Sequence, residues 1–154
     1  MKKIIILISI ISGLFILSGC GKVKNIEGTL PDLMTKVYSS LKDDEKPMML
    51  MNTVVTKENA SQYLGTDKIE FESALASESG VGSIPHSVVL LRAKKDQDIL
   101  KLKKDIKASV NPRKWICVGV EEENVLVESS GNLVILIMDN EFSKELLNNF
   151  NKIK

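Results

Sequence analysis

Apolar residues fall along this chain in runs of different period, and each run predicts an element. Positions 4–17 are almost wholly aliphatic, interrupted by Ser9, Ser12 and Gly13. Leu30, Leu33, Val37 and Leu41 then recur at helical spacing. Thr29 supplies an N-cap, Pro31 suits an early helical position, and Asp32 complements the positive end of the helix dipole. A charged stretch at positions 42–47, closed by Pro47, ends this helix. A second short helix is expected from Thr56 to a stop at Gly65. A third is expected after Asp67, with Ile69, Phe71, Ala74 and Leu75 supplying its apolar surface.

The pattern changes at Gly80. Positions 79–85 are loop chemistry, rich in Gly and Ser and closed by Pro85. Residues 87–93 read as a strand, since Val88, Val89, Leu90 and Leu91 are apolar on both faces. From Asp96, a charged helix places Ile99, Leu102, Ile106 and Val110 on one side and Lys101, Lys104 and Lys107 toward water. Asn111 and Pro112 end it. Residues 115–120 read as a strand by propensity. Residues 125–128, a turn at 129–132 and the run 133–138 carry a hairpin signature, and the wholly apolar second arm is expected to be central. Asp139 or Asn140 caps a last helix whose Phe142, Leu146 and Phe150 face the core. Short helices followed by strand, helix, strand, hairpin and helix predict an α+β domain with helices packed on a small, mainly antiparallel sheet.

The N-terminal run has the form of an export signal. Lys2 and Lys3 precede an aliphatic stretch shorter than the ~20 residues of a spanning helix, and small residues follow it. Leu17-Ser18-Gly19-Cys20 resembles the lipobox of bacterial lipoproteins. That resemblance implies a diacylglyceryl group on Cys20, cleavage before it, and anchorage at the extracytoplasmic face of the cell membrane. One acyl chain binds a membrane only marginally, so a diacyl anchor suits retention. The expected organisation is a signal peptide at 1–19, a tether at 20–28 and a domain at 29–154.

Charge and cysteine content narrow the function classes. The precursor carries 21 Lys and Arg against 20 Asp and Glu; loss of Lys2 and Lys3 leaves 19 against 20. A near-neutral balance offers nucleic acid no electrostatic footprint. It gives no polybasic membrane surface either. With Cys20 assigned to lipid, Cys117 has no partner, and an internal disulfide is not expected.

From about residue 30 to 153 the chain resembles a family of small lipoproteins from clostridia-like Gram-positive bacteria, catalogued as a domain of unknown function. The stretches that carry the resemblance are Tyr63-Leu64-Gly65, the run 83–92 through Pro85 and His86, Asn111-Pro112-Arg113-Lys114-Trp115, and Gly131-Asn132 feeding an apolar strand. They are patterns of fold. The resemblance implies no activity, cofactor or catalytic residue.

Candidate chemistry is sparse. His86 is the only histidine, and a nucleophile–base pair with Cys117 is formally open. Cys117, between Ile116 and Val118, reads instead as a buried small hydrophobe, and His86 as a strand-entry residue. Structural zinc wants four N/S ligands, which one His and one free Cys do not supply. Met48, Met49 and Met51 are suited to Cu(I) in principle, but read more simply as flexible core filler between helices. Glu121-Glu122-Glu123 lacks the alternating spacing of a calcium loop and reads as a solvated turn. Gly80-Val81-Gly82 precedes a strand, where a phosphate fingerprint precedes a helix. No nucleophile-elbow pattern is present. Arg113, Lys114 and Trp115 form a basic-aromatic cluster, either a contact point or a helix end with Trp115 in the core.

These features lead to the expectation of a non-enzymatic lipoprotein without cofactor or metal. It is held to the membrane by Cys20 and binds an envelope protein. A small-ligand-binding or transport-accessory lipoprotein is the alternative.

Overall fold

The computed structural model describes residues 24–153; Cys20 and the leader lie outside the described residues. Five antiparallel strands form one sheet in the order β1-β2-β3-β5-β4. They are β1 (Leu50–Val55), β2 (Ser73–Ser79), β3 (His86–Arg92), β4 (Val125–Ser130) and β5 (Leu133–Asp139). Four α-helices accompany them: α1 (Leu30–Val37), α2 (Ala60–Leu64), α3 (Ile99–Ser109) and α4 (Ser143–Phe150). The architecture is α+β.

Each face of the sheet carries its own core, because side chains alternate along a strand. On one face Leu75, Val88, Leu90, Leu133, Ile135 and Ile137 meet Leu33 and Val37 of α1 and Leu146 and Phe150 of α4. On the other, Ala74, Ala76, Val89, Leu91, Val134, Leu136 and Met138 meet Tyr63 and Leu64 of α2 and Leu102 and Ile106 of α3. β5 lies between β3 and β4, so its unbroken aliphatic run is buried throughout. Full burial of each such side chain is worth about 1.5–3 kcal/mol.

Local signals act where they were expected. Thr29 caps α1, accepting from the Asp32 N–H, and Pro31 lies in the first turn. Gly65 ends α2 at φ +75. There a Cβ would stand 1.8 Å from the Ser109 carbonyl oxygen, so glycine is required for the helix end to approach α3. Asp98 caps α3.

Several expectations are corrected. The third helix after Asp67 does not form; β2 occupies Ser73–Ser79 instead. Its Ala and Glu residues favour helix intrinsically, but pairing on both sides with β1 and β3 overrides propensity. β1 itself carries Met51, which was read as core filler between helices. Met48, Met49 and Met51 are exposed, because they lie on or beside an edge strand. Residues 115–120 are not a strand. Cys117 sits at φ +60, outside the extended region, and the segment is held by Ile116 N–H to Gly82 O and Val120 N–H to Pro112 O. Cys117 is therefore exposed, not buried.

The segment read as a tether is docked from Lys24 onward. Ile26 is buried in the core, and its N–H donates to the Asn132 side chain at 2.9 Å. Arg92 donates to the carbonyls of Ile26 and Gly28. Gly131, in the β4–β5 turn at φ +57, lets the Lys24 carbonyl come in close.

Candidate functional site

Two polar clusters lie at the same end of the sheet, on opposite faces. Both arise because β2, β3 and β5 change from apolar to polar positions there.

The first cluster is built on His86. His86 opens β3 and lies directly across from Asp139, the last residue of β5. Both side chains point to the face covered by α1, where the helix ends at Tyr38. His86 Nδ1 is 2.7 Å from Asp139 Oδ2, and Nε2 is 2.6 Å from the Tyr38 hydroxyl. The other Asp139 oxygen accepts from the backbone N–H groups of Glu141 and Phe142, which turns the chain into α4. The carboxylate accepts only, so Nδ1 carries the proton and donates to it. In the neutral ring, Nε2 then accepts from the Tyr38 O–H.

This network is sealed. His86, Asp139 and Tyr38 are 0%, 5% and 6% exposed. Burial pushes the Asp139 carboxyl upward, but hydrogen bonds from His86 and from the Phe142 and Glu141 N–H groups outweigh it and hold the group below its ordinary value. Burial pushes the Tyr38 hydroxyl well above its ordinary value, so it stays a proton donor. Ser77 stands beside it, near enough to oppose that rise slightly, yet its own buried hydroxyl makes no well-formed hydrogen bond. A shallow depression of about 180 Å³ runs past Tyr38 and Ser77 to Asn52 and Lys46.

The second cluster faces the other way. Ser87, next to His86, donates to Glu78 Oε1 at 2.6 Å. The Lys114 ammonium donates to the same carboxylate oxygen and to the Gln62 carbonyl at 3.2 Å. It also lies 5.5 Å from the centre of the Tyr63 ring and 5.2 Å from that of Trp115. The ammonium is thus neutralised and held against two aromatic faces. Around it opens a cleft of about 480 Å³, bounded by Tyr63, Trp115, Ile116, Gly80 and Gly82. Lys114 is drawn inward here, Trp115 is half-buried in the core, and Ile116 is 72% exposed on the rim.

His86 and Cys117 are not brought together by any hydrogen bond: both nitrogens of the ring are engaged by Tyr38 and Asp139, while the thiol is exposed. Glu121-Glu122-Glu123 is exposed; Glu121 precedes a short 3₁₀ helix, Glu122–Asn124, that contains the other two. Among the described residues, no group of three or more His, Cys, Asp or Glu converges as a metal-ligand set. Nor is any described helix long and apolar enough to cross a membrane. Tyr38, Ser77, Glu78 and Asp139 were not recognised as site residues from the sequence. The available signal was the polar end of three otherwise apolar strands, Ser77-Glu78, His86-Ser87 and Asp139. Compared with known proteins, the chain matches no protein family, no curated sequence and no solved structure.

Proposed function

We propose that this chain is a lipid-anchored extracytoplasmic module, held to the cell membrane through Cys20, that binds an envelope protein and performs no catalysis of its own. The carrying observation is the open cleft. Its rim offers Ile116 and the half-buried Trp115, groups that bind by contact, Tyr63 is buried in its wall, and its one ammonium is committed to Glu78. The most reactive-looking residue, His86, is buried with both nitrogens bonded, so a substrate has no access to it. An exposed apolar group next to a half-buried aromatic, with polar groups around them, suits a protein contact. The lipobox-like run at Cys20 and the resemblance to uncharacterised small lipoproteins support the address.

The test is a photo-crosslinking residue at Ile116 in the anchored protein in its native membrane. A discrete adduct that disappears with Trp115→Ala supports the reading, and no adduct refutes it. In parallel, Cys20→Ala releases the protein or leaves it unprocessed; membrane retention at the mature mass refutes lipidation. The alternative, a small-ligand or transport-accessory role, is favoured by the cleft volume. At about 480 Å³ it falls within the usual range of small-molecule pockets, roughly 300–1,000 Å³. Ligand-induced quenching of Trp115 fluorescence, without any adduct, would select it.

A further inference from the structure

The two edges of the sheet are treated differently. Along β4, the Lys107 ammonium reaches the Val125 carbonyl and Lys103 pairs with Glu128, so charge guards the strand. β1 carries no charge on its own residues; Lys46 stands beside Leu50 and Asn52 on the α1 face, with its ammonium paired to Asp43 at 2.8 Å. The sequence of β1, Leu-Met-Asn-Thr-Val-Val, has no charge, no proline and no glycine. Met51 is 55% exposed on it.

The free hydrogen-bonding groups of this edge can be identified. Gly80 N–H donates to Met49 O, so Met49 and Gly80 form a hydrogen-bonded pair. Such pairs alternate in an antiparallel ladder. Met51, Thr53 and Val55 therefore bond inward to β2, and Leu50, Asn52 and Val54 turn their backbone groups outward. This outward row is short. The chain leaves the strand at Met49, at φ +53, where Ser79 Oγ of β2 takes the Met48 carbonyl at 2.7 Å, and at the other end Asn59 Nδ2 donates to the Val54 carbonyl at 3.0 Å. Between these stops, the N–H and C=O groups of Leu50 and Asn52 have no partner among the described residues.

We propose that β1 pairs with β1 of a second copy of this chain, antiparallel about a two-fold axis at Met51, making one continuous sheet of two copies. In this register Leu50 of each copy faces Asn52 of the other, and all the free groups of both strands bond to one another. Moving the axis by one residue in either direction brings in Met48 or Val54, whose carbonyls are already taken. The symmetric register at Met51 is thus the one that uses free groups alone. It places the two exposed Met51 side chains against each other, where a flexible thioether packs well. An uncharged strand adds no like-charge repulsion across the axis. The pairing does not depend on the cleft or on the lipid.

The test uses the full anchored chain with Cys117→Ser, whose own non-reducing gel is the blank. Adding Met51→Cys puts two thiols at a non-hydrogen-bonded pair, about 4.5 Å between Cα atoms, within disulfide reach. A band at twice the monomer mass, lost on reduction, is expected. Thr53→Cys is the control: in this register its counterpart lies four residues away, roughly 13 Å, and it should stay monomeric. Asn52→Pro, tolerated because its N–H points off the edge, removes one free donor from each copy. It should lower dimer formation by Met51→Cys roughly tenfold. A monomeric Met51→Cys protein overturns the proposal. So does equal crosslinking by Thr53→Cys, or capture of Met51→Cys by a different protein.

Discussion

Replacing Asp139 by Asn tests the buried network at its charged end. The Asp139 carboxylate accepts from His86 Nδ1 on one oxygen and from the Glu141 and Phe142 N–H groups on the other. An Asn side chain can keep its oxygen toward the two backbone donors only by turning its NH₂ toward Nδ1. The ring proton must then move to Nε2, which donates to the Tyr38 oxygen, and the Tyr38 O–H must turn away toward Ser77. The bonds survive in reversed polarity, but the charge assistance is lost. Hydrogen bonds to charged groups contribute about 1.5–3 kcal/mol and neutral ones about 1 kcal/mol, so the loss should be roughly 2 kcal/mol. For a domain of this size that is roughly 6–10 °C in Tm. The pH dependence has a definite sign. Asp139 is held below its ordinary pKa, so its contribution is fully present above about pH 4 and fades as the pH falls through the lower folded value. Thermal and urea unfolding of both proteins between about pH 3 and 8, followed by circular dichroism, reads both effects. Equal stability at neutral pH, or a gap that persists undiminished at the acid end, refutes the assignment of charge to this carboxylate.

Two further outcomes are expected. Gly131→Ala would place a Cβ 2.1 Å from the Lys24 carbonyl oxygen at a residue with φ +57. It should cost about 1–3 kcal/mol and loosen residues 24–28, read as a lower Tm and faster tryptic cleavage at Lys24. Cys117 should react with a maleimide in the folded protein without denaturant, because the thiol is exposed; protection of the thiol until unfolding would contradict that placement.

Much of the fold was legible because its strongest elements carry local signals. Thr29, Pro31 and Asp32 announce α1, Gly65 stops α2, and Gly131-Asn132 joins two apolar arms as a hairpin. The buried aliphatic run of β5 predicted its own central position, since no surface strand is apolar on both faces. β1 and β2 were not legible. Thr53-Val54-Val55 favours a strand but is a short run behind methionines, and Ala74 and Leu75 read as helix until β3 and β1 are placed beside β2. The turn at Cys117 was likewise invisible, because a left-handed residue of this type gives no compositional warning.

The candidate sites divide in the same way. The sequence by itself determined the presence of one histidine and two cysteines, and a polar break at the end of the two apolar runs that hold His86 and Asp139. It also supplied the lipobox-like run at Cys20. Only the tertiary structure decided that His86 faces Asp139 across a strand pair and Tyr38 across a helix end, contacts 53 and 48 residues apart in the chain. It alone turned Lys114 inward onto Glu78, 36 residues away, and left Ile116 on the rim. Periodicity reports which face of an element is apolar, because burial of that face is a local pattern. Which two polar side chains meet depends on register and on sheet order, and those are set by the packing of the whole chain.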